Sequence, residues 1–308
     1  MSTASETPVK TYSAATARHS VLRSLLPAVK LPAEIWHHRY LVQNFFRREL
    51  LGRFRGSALG IVWVLVHPMF LFAIYYLVFG YLFGKPRAPG EAPSKELAVY
   101  MFSGVIAFTA LNEGLMRSCT SVVDNGNLVK KVAFPCQLLP VPAILVALLV
   151  YLVGALVCTT VGVACGVLLP GWSLLLLPVV LAIQFTLTLG LGLLLANFHV
   201  FARDTSHLWG ILSTAWLFLT PVFWYRHQVE DALGDNVLAT LLAWNPAYPL
   251  VQAHRLVLGA HDHLVDGKLV EFGDLGVNLF EAALWATGFL IVGYGVFMSR
   301  RHKFADLV

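Results

Sequence analysis

LLPVPAILVALLVYLVGALVCTTVGVACGVLL, from Leu138 to Leu169, is a stretch of 32 residues without Asp, Glu, Lys or Arg. A helix in a soluble core is shorter and keeps a charged face, whereas about 20 apolar residues cross a hydrocarbon layer roughly 30 Å thick. The stretch therefore reads as a membrane span, with length to spare for a tilt or a bend near Gly154 or Gly162. The Pro170-Gly171 pair that follows marks a tight turn. Working outward, comparable runs cover Ile61 to Phe83, Leu97 to Leu115, Leu174 to Ala196, Leu208 to Trp224 and Leu275 to Met298. Pro68 falls inside the first of them, where neighbouring groups must absorb the missing backbone donor. The fold class expected is an all-α integral membrane protein with six transmembrane helices.

Composition agrees. Of 308 residues 57% are hydrophobic and 13% charged, at a mean hydropathy of +0.70, which leaves no room for a soluble domain of ordinary size. Residues 1–33 are polar, lack the apolar core of a secretory signal and read as a flexible cytoplasmic tail. Residues 34–56 predict an amphipathic helix in the membrane interface, because Trp36, Val42, Phe46, Leu50 and Phe54 share half of a helical wheel while Arg47, Arg48 and Arg55 lie elsewhere. Arg39 and Arg53 interrupt that apolar arc, so a plain cytoplasmic helix is the alternative. Residues 57–308 make up the six-helix domain. Its external segment, 226–274, holds two apolar pieces around Val237 to Trp244 and Tyr248 to Leu258, split by Asn245-Pro246. Each is too short to cross a bilayer, which leaves short helices re-entering the outer leaflet or a folded external cap.

With the N-terminus inside, 16 of the 22 Lys and Arg residues lie on the inner side, against six outside: Lys85, Arg87, Lys95, Arg226, Arg255 and Lys268. Cytoplasmic loops carry the excess of basic residues, so both termini are expected in the cytoplasm.

No residues predict covalent catalysis. There is no GxxxxGK[ST] phosphate loop, so the chain cannot hydrolyse ATP in the P-loop manner. Cys119, Cys136, Cys158 and Cys165 show no metal-ligand spacing and read as small packing residues, and His261 and His263 read as solvated imidazoles on a polar loop. Ionisable groups near membrane depth are expensive unless paired or solvated. Glu113, beside Asn112, is a candidate for gating or for structure; Glu281 lies early in the sixth span; Arg203 and Asp204 read as a structural pair in a short turn. Aromatic residues crowd the first span (Trp63, Phe70, Phe72, Tyr75, Tyr76, Phe79) and the fifth (Trp209, Trp216, Phe218, Phe223, Trp224). Their faces suit a sliding glycan, while interfacial belts and lipid packing explain the same residues.

Four stretches go beyond composition: RRELLGRFRGSALGIVWVLVHP (Arg47 to Pro68), NGNLVKKVAFPCQLLPV (Asn125 to Val141), RDTSHLWGILSTAWLFLTPVFW (Arg203 to Trp224) and WNPAYPLVQAHRLVLG (Trp244 to Gly259). In this order and spacing the chain resembles the permease subunits of type-2 ABC exporters for surface polysaccharides, which include O-antigen, capsule and teichoic acid exporters. The resemblance runs from about Glu34 to the C-terminus; the tail before it is longer than in the shortest family members. It implies a homodimer in the bacterial inner membrane, with the first and fifth spans lining a conduit through Trp63, Phe70, Tyr75, Tyr76, Phe79, Trp216, Phe218, Phe223 and Trp224. Two copies of a separate ABC ATPase, which carry the ATP and Mg, would dock on a loop with Asn125, Asn127, Lys130, Lys131 and Phe134. The implied substrate is a polysaccharide on polyprenyl pyrophosphate, with Arg47, Arg48, Arg53 and Arg55 as bidentate partners for the pyrophosphate. Positive-inside topology accounts equally for these arginines, and membrane anchoring for the two lysines. No cofactor, metal or nucleic acid is expected on this chain.

The function expected is ATP-driven export of lipid-linked O-antigen. Alternatives are export of capsule, teichoic acid, a small lipid or a drug, or a membrane enzyme acting on a polyprenyl carrier. Such an enzyme needs clustered carboxylates, whereas Glu113 and Glu281 lie in different spans.

Overall fold

The computed structural model describes residues 31–53, 55–75, 77–78, 95–131, 135–226, 235–265 and 268–308. The expected tail lies almost wholly outside these residues, as do Phe54, Tyr76, Phe79 and Phe134. Among the described residues four helical stretches are long and apolar enough to cross a membrane: Lys95–Asp124, Cys136–Ala164, Trp172–Phe201 and Leu275–Leu307.

In chain order the helices are α1 (Leu31–His37), α2 (Arg39–Arg53), α3 (Trp63–Tyr75), α4 (Lys95–Asp124), α5 (Gly126–Lys131), α6 (Pro140–Ala164), α7 (Leu177–Phe201), α8 (Thr205–Leu219), α9 (Asp235–Ala243), α10 (Ala247–Val257), α11 (Leu275–Arg300) and α12 (Phe304–Leu307). The expected interfacial helix is thus two helices, broken at His38, whose Nδ1 lies 3.0 Å from the Glu34 carbonyl oxygen. Val42 is its buried residue, in a cluster with Leu138 and Leu139, whereas Trp36 is 72% exposed. Val42 belongs to the predicted apolar arc, so part of that arc is the face that α2 packs, while Trp36 lies on the separate helix α1.

Two expected spans change length. The second continues helically past Leu115 to Asp124, because polar residues there are held on α4 by backbone acceptors: Ser118 and Ser121 donate to the carbonyls of Gly114 and Ser118. The third stops at Ala164 although the apolar run reaches Leu169. Gly166 takes φ +73° and the chain doubles back, so that the Leu168 side chain covers Gly162. The bend expected within the span is therefore its end. Gly154 serves a close helix approach instead, with Ile106 of α4 against it.

Membrane helices associate through small residues that let backbones meet. Gly190 of α7 and Gly293 of α11 touch backbone to backbone, and Gly114 and Gly192 seat Thr188 and Ser118 between α4 and α7. Around this centre α6 packs on α4, while α10 lies against α11, α4 and α7. The short helices α3 and α8 lie at the periphery: α3 contacts α6 and α4, and α8 contacts α4 and α7. The stretch expected as the fifth span holds the 15-residue α8, which ends at Leu219 before Pro221 and is too short to cross a bilayer alone, and Phe223 and Trp224 are not helical.

The expected break at Asn245-Pro246 separates α9 from α10. One departure from an all-α chain follows, an antiparallel ribbon of β1 (His263–Val265) and β2 (Lys268–Val270) with His263 opposite Val270.

Candidate functional site

One face of α4 carries Thr109, Asn112, Glu113, Met116, Arg117 and Thr120, which line a cavity of about 300 Å³. Their spacing of three and four residues gathers them into a single stripe. Glu113 stands eleven residues before Asp124, roughly 16 Å along the helix at 1.5 Å per residue. From one side α2 reaches the stripe: Arg53 forms an ion pair with Glu113, and Arg117 Nη1 donates to Glu49 Oε1 at 2.8 Å. Arg48 Nη2 donates to Asn125 Oδ1, 2.8 Å away at the start of α5. From the other side α8 contributes Trp209, whose indole N–H donates to Asn112 Oδ1 at 3.2 Å. The result is a groove with carboxylate, guanidinium, amide and hydroxyl groups and an aromatic wall, a set that suits a polyhydroxylated or phosphorylated ligand.

At the opposite end of α4 a buried cation organises the chain. Arg255 of α10 is 1% exposed. Its Nη1 donates to the Pro221 carbonyl at 2.9 Å and to Gln252 Oε1 at 3.0 Å; its Nη2 donates to the Tyr100 carbonyl at 3.1 Å. The guanidinium also lies over the Tyr100 ring, 3.6 Å from its centroid. Gly104 leaves the space for Nη2. Tyr100 in turn donates its hydroxyl to the carbonyls of Pro221 and Trp224, both at 3.0 Å. Next to Arg255, His254 Nδ1 and the Tyr151 hydroxyl are 2.7 Å apart. Asn245 completes this end: its Oδ1 accepts from Trp216 Nε1 at 2.8 Å and from the Ala247 N–H at 3.0 Å, and its Nδ2 donates to Thr220 Oγ1 at 3.0 Å. The end of the fifth span is thereby tied to α4 and α10.

The model of the ABC-2 type transporter family matches residues 40–257. The chain belongs to this family. It is 29% identical over 283 residues to the O-antigen export system permease protein RfbA of Myxococcus xanthus, covering 91% of this chain and 100% of that relative. It is 20% identical over 271 residues to an O-antigen export system permease protein RfbA of Klebsiella pneumoniae, covering 85% of this chain and 92% of the relative. As an ABC-2 transporter with several apolar helices, the chain is a multi-pass membrane protein and a permease rather than an enzyme.

In this ABC-2 chain the aromatic residues expected along a conduit fall into separate groups. Trp63 donates its indole N–H to Ser57 Oγ at 2.7 Å, and Phe70 is 64% exposed. Tyr75 stacks on Phe223 with centroids 6.0 Å apart, and Phe218 leans on the same ring at 5.6 Å. Trp224 donates to the Phe218 carbonyl at 2.9 Å. Trp216 turns inward instead, edge-on to Phe108 and Trp209. Of the four arginines, Arg48 and Arg53 are engaged as described, while Arg47 and Arg55 are exposed and make no side-chain hydrogen bond or ion pair among the described residues. On α5, Asn127 and Lys130 are exposed and Lys131 is the last residue, while Asn125, just before the helix, is half-buried. Arg203 and Asp204 are not paired with each other: Arg203 Nη2 reaches the Leu307 carbonyl at 3.5 Å. Glu281 is exposed on α11.

Sequence reasoning singled out Glu113 with its neighbour Asn112, but neither the groove that they share with Arg117 nor Arg255. The polar spacing of Thr109, Asn112, Glu113, Met116, Arg117 and Thr120 on one helical face was the available signal for the groove. For Arg255 the signal was Gln252, His254 and Arg255 within an otherwise largely apolar 11-residue helix, which counting Arg255 as an external charge passed over.

Proposed function

We propose that this ABC-2 chain is the membrane-spanning subunit of an ATP-driven exporter that moves polyprenyl-pyrophosphate-linked O-antigen polysaccharide across the bacterial inner membrane. The observation that carries the proposal is the end-to-end likeness to a permease named for O-antigen export, which extends over the whole of that relative. Two copies of the chain pair, with both termini in the cytoplasm and six spans each. Two copies of a separate ATPase dock on α5. Closure of the ATPases moves α5, and with it α4, on which the groove lies. The groove receives the headgroup and first sugars: Arg47 and Arg55, both exposed, offer guanidinium groups to the pyrophosphate, and Glu113 exchanges its ion pair with Arg53 as the groove opens. The aromatic residues near Tyr75 and Phe223 form the outer part of the path.

The test is deletion of the gene, with complementation by the intact chain or by a Lys130→Glu, Lys131→Glu variant. Undecorated cells with lipid-linked glycan accumulating inside, rescued only by the intact chain, is the expected result. Normal surface O-antigen in the deletion strain would refute the proposal. A membrane enzyme is disfavoured by the separation of Glu113, paired with Arg53, from Glu281 on another helix.

A further inference from the structure

We infer that the residues following the sixth span complete the ATPase docking surface, and that this composite surface takes an acidic protein face with an apolar centre. The inference rests on the reading, given above, that an ATPase docks on α5.

After α11 ends at Arg300, the chain does not run out along the bilayer. Arg301–Lys303 form a single turn, and α12 doubles back beneath the ends of α7 and α11. Phe304 is wholly buried, edge-on to Phe297 at 5.0 Å and to Phe201 at 6.4 Å. Val308 packs against Gly126, the first residue of α5, so closely that any side chain at Gly126 would strike it. Val129 of α5 and Val308 join the same apolar cluster as Phe304. The Arg203 guanidinium meets the Leu307 carbonyl, which fastens the turn between α7 and α8 to the same place. Three segments far apart in sequence thus form one platform.

The exposed side of the platform is basic. Lys130, Arg203, Arg300, Arg301 and Lys303 are exposed, against the carboxylates of Asp124, Asp204 and Asp306. Leu307, 45% exposed, supplies an apolar residue among them. Charged rims around an apolar residue suit a transient protein partner. Lipid headgroups also attract juxtamembrane basic residues, but a segment serving only as a lipid anchor would offer its aromatic residue to the bilayer. Here Phe304 is buried in the bundle and α12 contacts α5 and α7, so the segment holds the docking helix in place and extends its surface.

The test uses the full chain in nanodiscs of zwitterionic lipid, with and without added anionic lipid, and the purified ATPase subunit, with dissociation constants measured at low and high salt. Arg301→Glu with Lys303→Glu is expected to weaken binding about tenfold, most at low salt, as rim charges do. Phe304→Ala is expected to weaken binding without changing charge, and to speed amide exchange in residues 126–131. If the charge-reversed variant binds within twofold of the intact chain while Lys130→Glu is weakened, the C-terminal turn is not part of the interface and the inference fails. A loss seen only when anionic lipid is present would assign the turn to headgroups and overturn it equally. If the intact chain binds no ATPase, the underlying docking reading fails first.

Discussion

A guanidinium buried among apolar helices has to recover the hydration it gives up, and Arg255 does so with two backbone carbonyls, the Gln252 amide oxygen and the face of Tyr100. Removing the side chain takes the donor from Gln252 Oε1, whereas the Pro221 carbonyl keeps the Tyr100 hydroxyl and the Tyr100 carbonyl keeps the Ser103 hydroxyl. Arg255→Ala is expected to lower stability by about 1–3 kcal/mol, read as a drop of a few degrees in the unfolding temperature of the detergent-solubilised protein. Arg255→Lys keeps the charge and loses the planar fork, so it should restore only part of the drop; full recovery would mean that charge alone matters. Asn245 faces the same arithmetic. Asn245→Ala strips partners from Trp216, Thr220 and the Ala247 N–H and should cost about 1–3 kcal/mol. A blue-to-red shift in tryptophan emission, as Trp216 loosens, is the accompanying signature.

At the scale of elements, the contact between α7 and α11 depends on two positions having no side chain. A Cβ at Gly190 would meet the backbone of Phe289 and Leu290, and one at Gly293 would meet Gly190 itself. Gly190→Ala or Gly293→Ala must therefore force the helices apart, at a cost of about 1–3 kcal/mol or more and a lower yield of folded protein. Gly288→Ala, on the same helix with open space around it, should be neutral or slightly stabilising. Equal effects at Gly288 and Gly293 would sink this account.

The same elements show what sequence could supply. Apolar length located the four long spans, and Asn245-Pro246 located the break between α9 and α10, because both signals act within one segment. Helix ends were less legible. α4 runs on through polar Ser118 and Ser121, whose hydroxyls bond to their own helix, whereas α6 stops inside an apolar run because Leu168 finds Gly162 to cover. The arginines of α2 could be named as a group, but which two are taken by Glu113 and Asn125 depends on how α2 meets α4. That depends on tertiary packing, as does the burial of Arg255.

Over the whole molecule, apolar surface is distributed unevenly. The outward faces of α3 and α8 leave Phe70 64%, Ile211 71% and Phe218 60% exposed, next to the groove and to the stacked Tyr75 and Phe223. On α11, Phe280 is just as exposed, at 70%, on a helix remote from the groove. Pairing through α3 and α8 would place two grooves around one axis; α11 would then face lipid. Single cysteines introduced at Ile211 and at Phe280 distinguish these faces. Oxidation in native membranes should link two copies through position 211 and leave position 280 unlinked, and the reverse pattern would place the axis at α11.

The attachment of α10 also constrains how the protein is made. Its partners Tyr100, Tyr151 and Pro221 precede it in the chain, as does Leu169, whose N–H donates to the Gly259 carbonyl at 2.9 Å. A translocon inserting the chain from its N-terminus has thus delivered the whole receptor for Arg255 before Arg255 leaves the ribosome. Isolated in lipid at mid-membrane the arginine would cost about 2.5–3.5 kcal/mol on an insertion scale, and more by other measures. Because its carbonyls are already in place, α10 can enter a prepared slot, and α11, synthesised after it, closes over it.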